Sequence, residues 1–92
     1  ATKTKNQYLE VEWIKPQTFN QIIVDEFENN ITSYKLQYWE NGTWKDIVKG
    51  ENCGANKMHQ FERVTSTKCR LFIVDAKAPP SIKELKISFN NN

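Results

Sequence analysis

The sequence has little histidine and little cysteine, two residues on which bases, nucleophiles and metal sites often depend. Its 92 residues hold one histidine, His59, and two cysteines, Cys53 and Cys69. An enzyme needs a convergent nucleophile and base, paired carboxylates or a set of metal ligands. Nothing at metal-ligand spacing surrounds His59, because Cys53 lies six residues away across a glycine-containing loop. A lone strand histidine of this kind reads as a surface side chain. Glu10 and Glu12 could pass for a carboxylate pair, yet they alternate with Leu9, Val11 and Trp13 and are more simply the wet half of a strand. No catalytic residue, metal ligand or cofactor is expected.

Charge of one sign is also lacking. Thirteen basic and eleven acidic residues are dispersed along the chain, for a net charge of +2. No basic patch suited to a phosphate backbone results, so nucleic acid is not an expected partner. No apolar run approaches the roughly twenty residues of a membrane helix. The opening A-T-K-T-K-N-Q has no apolar core of a signal peptide. Helical periodicity and fixed-spacing repeats are absent as well, and the length suits one domain with one core, residues 1–92.

What the chain does have is alternation of period two. Tyr34, Leu36 and Tyr38 alternate with Lys35, Gln37 and Trp39, which puts the two sets on opposite faces of a strand. Asn41-Gly42 follows, a pair that accepts the positive φ angles of a tight hairpin turn, and a second strand over 43–49 comes next. Similar segments lie over 8–14, 19–26, 58–64, 68–75 and 82–89. Lys15-Pro16, the 65–67 segment and the two prolines of 76–81 separate them. Seven short strands between turn signals predict an all-β, antiparallel β-sandwich. If successive strands run antiparallel, the long connections 26–31, 50–57 and 76–81 gather at one end and the short ones at the other.

That placement bears on the cysteines and tryptophans. The count permits one disulfide or none. Cys53 lies at the long-loop end and Cys69 opens a strand near the other, about 17–20 Å away for strands of this length, beyond the roughly 7 Å limit for a bridge. Both thiols are expected to be free, Cys69 buried with Leu71 and Ile73, Cys53 accessible to reagents. Trp39 and Trp44 flank the hairpin turn. They are expected to pack on the sheet, Trp44 substantially buried, with neither binding ligand.

The runs Y-L-E-V-E-W-I-K-P-Q-T-F-N-Q-I-I-V, Y-K-L-Q-Y-W-E-N-G-T-W-K-D-I, F-E-R-V-T-S-T-K-C-R-L-F-I and A-P-P-S-I-K-E-L-K-I resemble the coagulation factor 5/8 type C domain, a discoidin-like family that overlaps carbohydrate-binding module family 32. The resemblance spans residues 8–89, and its nearest flavour is the module attached to bacterial alpha-L-fucosidases and hexosaminidases. It implies a jelly-roll sandwich without catalytic residues, whose loops at one end hold sugars, phospholipid or protein. It also implies a glycan partner of galactose, N-acetylhexosamine or fucose type, a glycoside hydrolase domain in the same protein, a monomeric module, and an extracellular, periplasmic or cell-surface place in a secreted bacterial protein. Complete members carry a further N-terminal portion with ligand contacts and often a structural calcium. Most of that portion has no counterpart here, so a family calcium is not carried over.

Sugar binding needs an aromatic face plus amides, carboxylates or cations for the hydroxyls. The long-loop end supplies Phe27, Glu28, Asn29, Asn56, Lys57 and Lys77, with Asn30 and Asn52 beside them. Polar loops also face water for no other reason than solubility. The alternative from a different class is a discoidin-like module that binds membrane or protein, or a structural spacer. Membrane insertion would call for bulky apolar residues at loop tips, and only Phe27 and Met58 qualify, which disfavours a membrane partner.

Overall fold

The computed structural model describes residues 7–89. Five strands run through it: β1 (Gln7–Phe27), β2 (Ile31–Glu40), β3 (Thr43–Glu51), β4 (Lys57–Ala76) and β5 (Ser81–Ser88). All pairings are antiparallel, in the order β3-β2-β4-β1-β5. The all-β antiparallel class is as the alternation predicts. Seven segments become five strands because two of the expected breaks are bends inside continuous strands.

Those bends make the sandwich. β1 and β4 have 21 and 20 residues, and a straight strand of that length would span about 65 Å. The longest dimension of the domain is 40 Å. In the β1–β4 ladder Glu12 pairs with Lys68 but Gln17 with Ser66, so residues 13–16 interrupt the pairing at the site of Pro16. Proline offers no amide to the ladder, and an irregularity there bends the strand. The 65–67 segment, expected as a turn, stays within β4 and bends with it. The N-terminal half of β1 therefore pairs with the C-terminal half of β4, alongside β2 and β3, while its C-terminal half pairs with the N-terminal half of β4 and with β5.

That the two layers face each other follows from Tyr34. It pairs with Ile73 in its own layer, yet its hydroxyl lies 2.7 Å from His59 Nε2. Residues 59 and 73 would be about 46 Å apart along a straight strand. The bent strand brings them to either side of one tyrosine.

Between the layers lie Phe19, Ile22 and Val24 from β1, Ile31, Tyr34 and Leu36 from β2, and Cys69, Leu71, Ile73 and Ala76 from β4. Each large aliphatic side chain here contributes about 1.5–3 kcal/mol by leaving water. β5 closes the second layer with the half-buried Ile82, Leu85 and Ile87. The hairpin turn is as read: Asn41 and Gly42 have φ of 51° and 81°, and Glu40 pairs with Thr43 across them. Gly50, opposite Tyr34, answers a different need. A β-carbon there would collide with the Tyr34 ring, so only glycine lets that ring lean across β3 towards His59.

Candidate ligand-binding end

The three long connections shrink to residues 28–30, 52–56 and 77–80, and they meet at one end as the parity of the strands requires. Glu26 ties the first two together. It falls in the inward register of Ile22 and Val24 and is only 2% exposed. Its carboxylate accepts the amide of Asn30 at 2.9 Å, that of Ile31 at 3.0 and 3.3 Å, and that of Gly54 at 3.3 Å. Its own amide donates to Gly54 O at 3.0 Å. A buried carboxylate supplied with several N–H donors is stable where an unpaired one would be expelled.

Secondary ties complete the end. Asn52 and Cys53 donate their amides to Thr32 O and Ile31 O, both at 3.2 Å, and Lys77 donates its amide to Asn30 O at 2.9 Å. The Asn30 side chain donates to Pro79 O at 3.4 Å, and the Asn56 amide donates to Asp25 Oδ1 at 3.1 Å. Positive φ angles at Glu28, Asn52, Gly54 and Asn56 turn the loops. Asparagine and glycine accept this conformation readily, whereas Glu28 holds it at a cost of about 1 kcal/mol or more.

The residues singled out from the sequence lie as follows. Phe27 is the last residue of β1 rather than a loop residue, opposite Ser81, and is 59% exposed. Strand alternation points it with Asp25, away from Glu26. Glu28 and Asn29 are exposed, and the Asn29 carboxamide oxygen lies 3.8 Å from where a β-carbon on Gly54 would sit. Asn56, Lys57 and Lys77 are exposed, Lys57 opening β4 opposite Val24. All six share this end. Asn29 and Lys77 flank the Glu26 knot, and Phe27 and Asn56 lie on the Asp25 side. Beside loop 52–56, Ser33, Lys49, Gly50 and Glu51 line an open groove of about 560 Å³, within the usual range of ligand sites.

Two expectations fail here. Cys53 is not accessible: it is 4% exposed, because its tied amide turns the thiol inwards, with Sγ 3.6 Å from Gly54 O. Burial above all, and then the charge of Glu26, pushes this thiol up to about 12. Both cysteines are free, and burial likewise pushes Cys69 up to about 12. His59 is not a surface residue either. It stands opposite the buried Ile22, packs its ring 5.5 Å from that of Tyr34, and is held below the usual histidine range by burial and by Lys57. Burial, then Cys53, raises the Tyr34 hydroxyl to about 12, and this hydroxyl and His59 Nε2 share a hydrogen bond.

Sequence reasoning missed Glu26, Asp25 and Asn30 as the residues that order this end. One signal was available: Glu26 occupies the next inward position after Ile22 and Val24, and a carboxylate in a core register has to find donors. Trp39 and Trp44 meet edge to face, 5.3 Å apart and inclined by 73°. Trp44 is partly buried on the edge strand β3. Among the described residues no group of three or more histidine, cysteine, aspartate or glutamate side chains is placed to hold a metal ion.

The profile of the F5/8 type C domain matches residues 1–88. Comparison with curated proteins returns no match. Among solved structures, SpGH29 is 21% identical over 95% of this chain and 20% of its own, with a TM-score of 0.87. A GH29 fucosidase from Ruminococcus gnavus, solved in complex with fucose, is 19% identical over 96% of this chain and 19% of its own, with a TM-score of 0.82. The chain thus spans about a fifth of the length of these two. Chitosan-binding module 2 from a chitosanase/glucanase of Paenibacillus sp. IK-5, solved with chitotriose, is 13% identical over 92% of this chain and 71% of its own, with a TM-score of 0.80. At these identities the likeness establishes a shared fold.

Proposed function

Because the chain belongs to the F5/8 type C domain family, we propose that it is a non-catalytic carbohydrate-binding module whose glycan meets the end formed by loops 28–30, 52–56 and 77–80. The observation that carries this reading is the Glu26 knot. It ties two of the loops together from below, with the third attached to Asn30 through the Lys77 amide, while Phe27, Asn29, Asn56, Lys57 and Lys77 stay exposed around it. Phe27 offers a flat apolar face to a sugar ring, and the amides and ammonium groups offer donors to its hydroxyls. Ligand groups arranged on pre-ordered backbone lose little entropy on binding.

Two similarities support the reading. The chitosan-binding module shares this fold and was solved with a glycan. The GH29 fucosidase carries the same fold as one part of a much longer chain, which suits a module that directs an attached glycoside hydrolase to its substrate. The ligand is a galactose, N-acetylhexosamine or fucose type of sugar, and the module acts as a monomer in a secreted bacterial protein. A second reading rests on Phe27 and Met58, which are 59% and 54% exposed near this end and could enter a lipid surface.

Titrating galactose, N-acetylglucosamine, N-acetylgalactosamine and fucose while recording amide chemical shifts tests the proposal. We expect shifts in the three loops with dissociation constants near or above about 0.1 mM, since a shallow site mainly exchanges bonds to water for bonds to protein. Shifts confined to the hairpin turn would refute the placement. Binding to phospholipid vesicles with no response to any of the four sugars would favour the second reading.

A further inference from the structure

The outer face of the layer formed by β3, β2, β4 and the start of β1 carries an arginine held in an aromatic frame. The Arg70 guanidinium carbon lies 4.2 Å from the ring centre of Trp44, 4.9 Å from that of Phe72 and 5.1 Å from that of Tyr8. Its Nε donates to Gln37 Oε1 at 2.7 Å, and Gln37 Nε2 in turn donates to Asp46 Oδ1 at 2.7 Å. Rings from three strands and one carboxamide thus fix the position of a side chain that usually has several free torsions. The edge of a guanidinium plane is the part that chelates carboxylate or sulfate.

The frame lacks an anion. Among the described residues no carboxylate forms an ion pair with Arg70, and no protein acceptor meets its Nη groups. Even Glu10, its direct cross-strand neighbour on β1, forms none. Other cations stand on the same face, interleaved with the carboxylates of Glu10, Glu12, Asp46 and Glu51. Lys35 stands opposite both Phe72 and Lys49, and Lys68 sits 4.9 Å from the centre of the Trp39 ring. The strip they define runs along β2 from the Ser33 groove to Trp39, about 20 Å at the usual rise of a strand. Its acidic neighbours are Glu10 and Glu12 to one side on β1, Asp46, which is engaged by Gln37, and Glu51, which lines the Ser33 groove with Lys49.

We propose that this face binds an anionic glycan, a sugar chain bearing carboxylate or sulfate groups, with the Arg70 fork on one anion and the strip from Ser33 to Trp39 following the chain. The indoles hold the cations and do not themselves stack on the sugar, because Arg70 and Lys68 already lie over them. A protein partner fits less well. Stable protein interfaces need about 800 Å² on each side with an apolar centre, and here the rings are covered by charged groups. The site begins at the groove beside loop 52–56 but runs away from that end along β2, and its anchor Arg70 lies outside the three loops.

The test uses the whole chain with three polymers: polygalacturonate, dextran sulfate and neutral dextran. We expect binding to at least one of the anionic polymers, weakened by salt, and none to neutral dextran. Arg70→Gln should weaken binding at least tenfold. Arg70→Lys should do nearly as much, because a point charge replaces a planar fork. Lys83→Gln, which removes an equal charge from β5, should leave affinity unchanged. Independently of any variant, amide shifts induced in the unsubstituted chain by a trigalacturonate or a sulfated trisaccharide should cluster on β2, β3 and β4. The proposal is overturned by no binding to either anionic polymer at low ionic strength, by an equal loss in Lys83→Gln, by shifts confined to the long loops, or by stronger retention on phosphatidylserine vesicles than on either polymer.

Discussion

The two ends of this sandwich are ordered by different means. At the long-loop end, one buried carboxylate gathers backbone amides from two loops, and further backbone bonds attach the third. At the hairpin end, order comes from local contacts: the Asn41-Gly42 turn, the edge-to-face tryptophans, and Ser66, whose hydroxyl donates to Trp39 O at 2.6 Å while accepting the Lys68 amide at 3.2 Å. Thr18 and Thr65 add a hydroxyl pair at 2.7 Å where β1 and β4 bend. The first end is therefore cooperative and fails as a unit. The second is assembled from separate pieces, each removable without the others.

Replacing Glu26 with alanine should have the largest effect. It orphans the amides of Asn30, Ile31 and Gly54, and unsatisfied buried groups cost about 1–3 kcal/mol each. Allowing for relaxation, we expect a loss of about 3–4 kcal/mol, seen as a fall in Tm of about 15 °C or more for a domain of this size. Hydrogen exchange should accelerate in all three long loops while the hairpin turn keeps its protection. A loss below about 1 kcal/mol, or acceleration in one loop only, would break the comparison.

Gly50→Val comes next. Its side chain displaces the Tyr34 ring and with it the contact to His59, so overpacking should cost about 2–3 kcal/mol in denaturant melts. An unchanged midpoint would show that Tyr34 has another place to go. Ser66→Ala, at the hairpin end, should cost about 1 kcal/mol and alter exchange only near the bend, which sharpens the contrast with Glu26.

The effects of pH also fall mainly on the long-loop half. His59 titrates below its ordinary 6.5 in the folded chain, so the stability it contributes is present above pH 6.5 and is lost as pH falls through its folded value. Tyr34 and Cys53 move the other way, from 10.0 and 9.0 to about 12. Their contribution is present below about pH 9 and declines as pH rises towards 12. Thermal melts across pH 5–11, an interval of the order these shifts define, should decline at both margins. In His59→Gln the acid decline should shrink. Cys53 should react slowly with thiol reagents until the fold opens.

Much of the architecture was legible from local chemistry. Alternation marks a half-buried strand wherever it occurs, and so the inward sets Tyr34, Leu36 and Cys69, Leu71, Ile73 were readable one segment at a time. Asn41-Gly42 specifies its own turn, because positive φ at two successive positions is a property of those two residues. Parity alone brought the long loops to one end. The candidate residues Phe27, Glu28, Asn29, Asn56, Lys57 and Lys77 were named on that basis, and the folded chain does bring them to that end.

Other features depend on partners distant in the chain. Pro16 looks the same in sequence whether it ends a strand or bends one, and only the ladder resuming at Gln17 opposite Ser66 makes β1 continuous. Cys53 reads as a loop thiol until Ile31, twenty-two positions earlier, takes its amide and turns the side chain into the core. Glu26 receives amides from residues four, five and twenty-eight positions away, and Arg70 draws its frame from three other strands. Period and turn chemistry act over a few residues, so composition and spacing carry them. A buried carboxylate, a shielded thiol and a stacked guanidinium are created by neighbours that only the folded chain assembles.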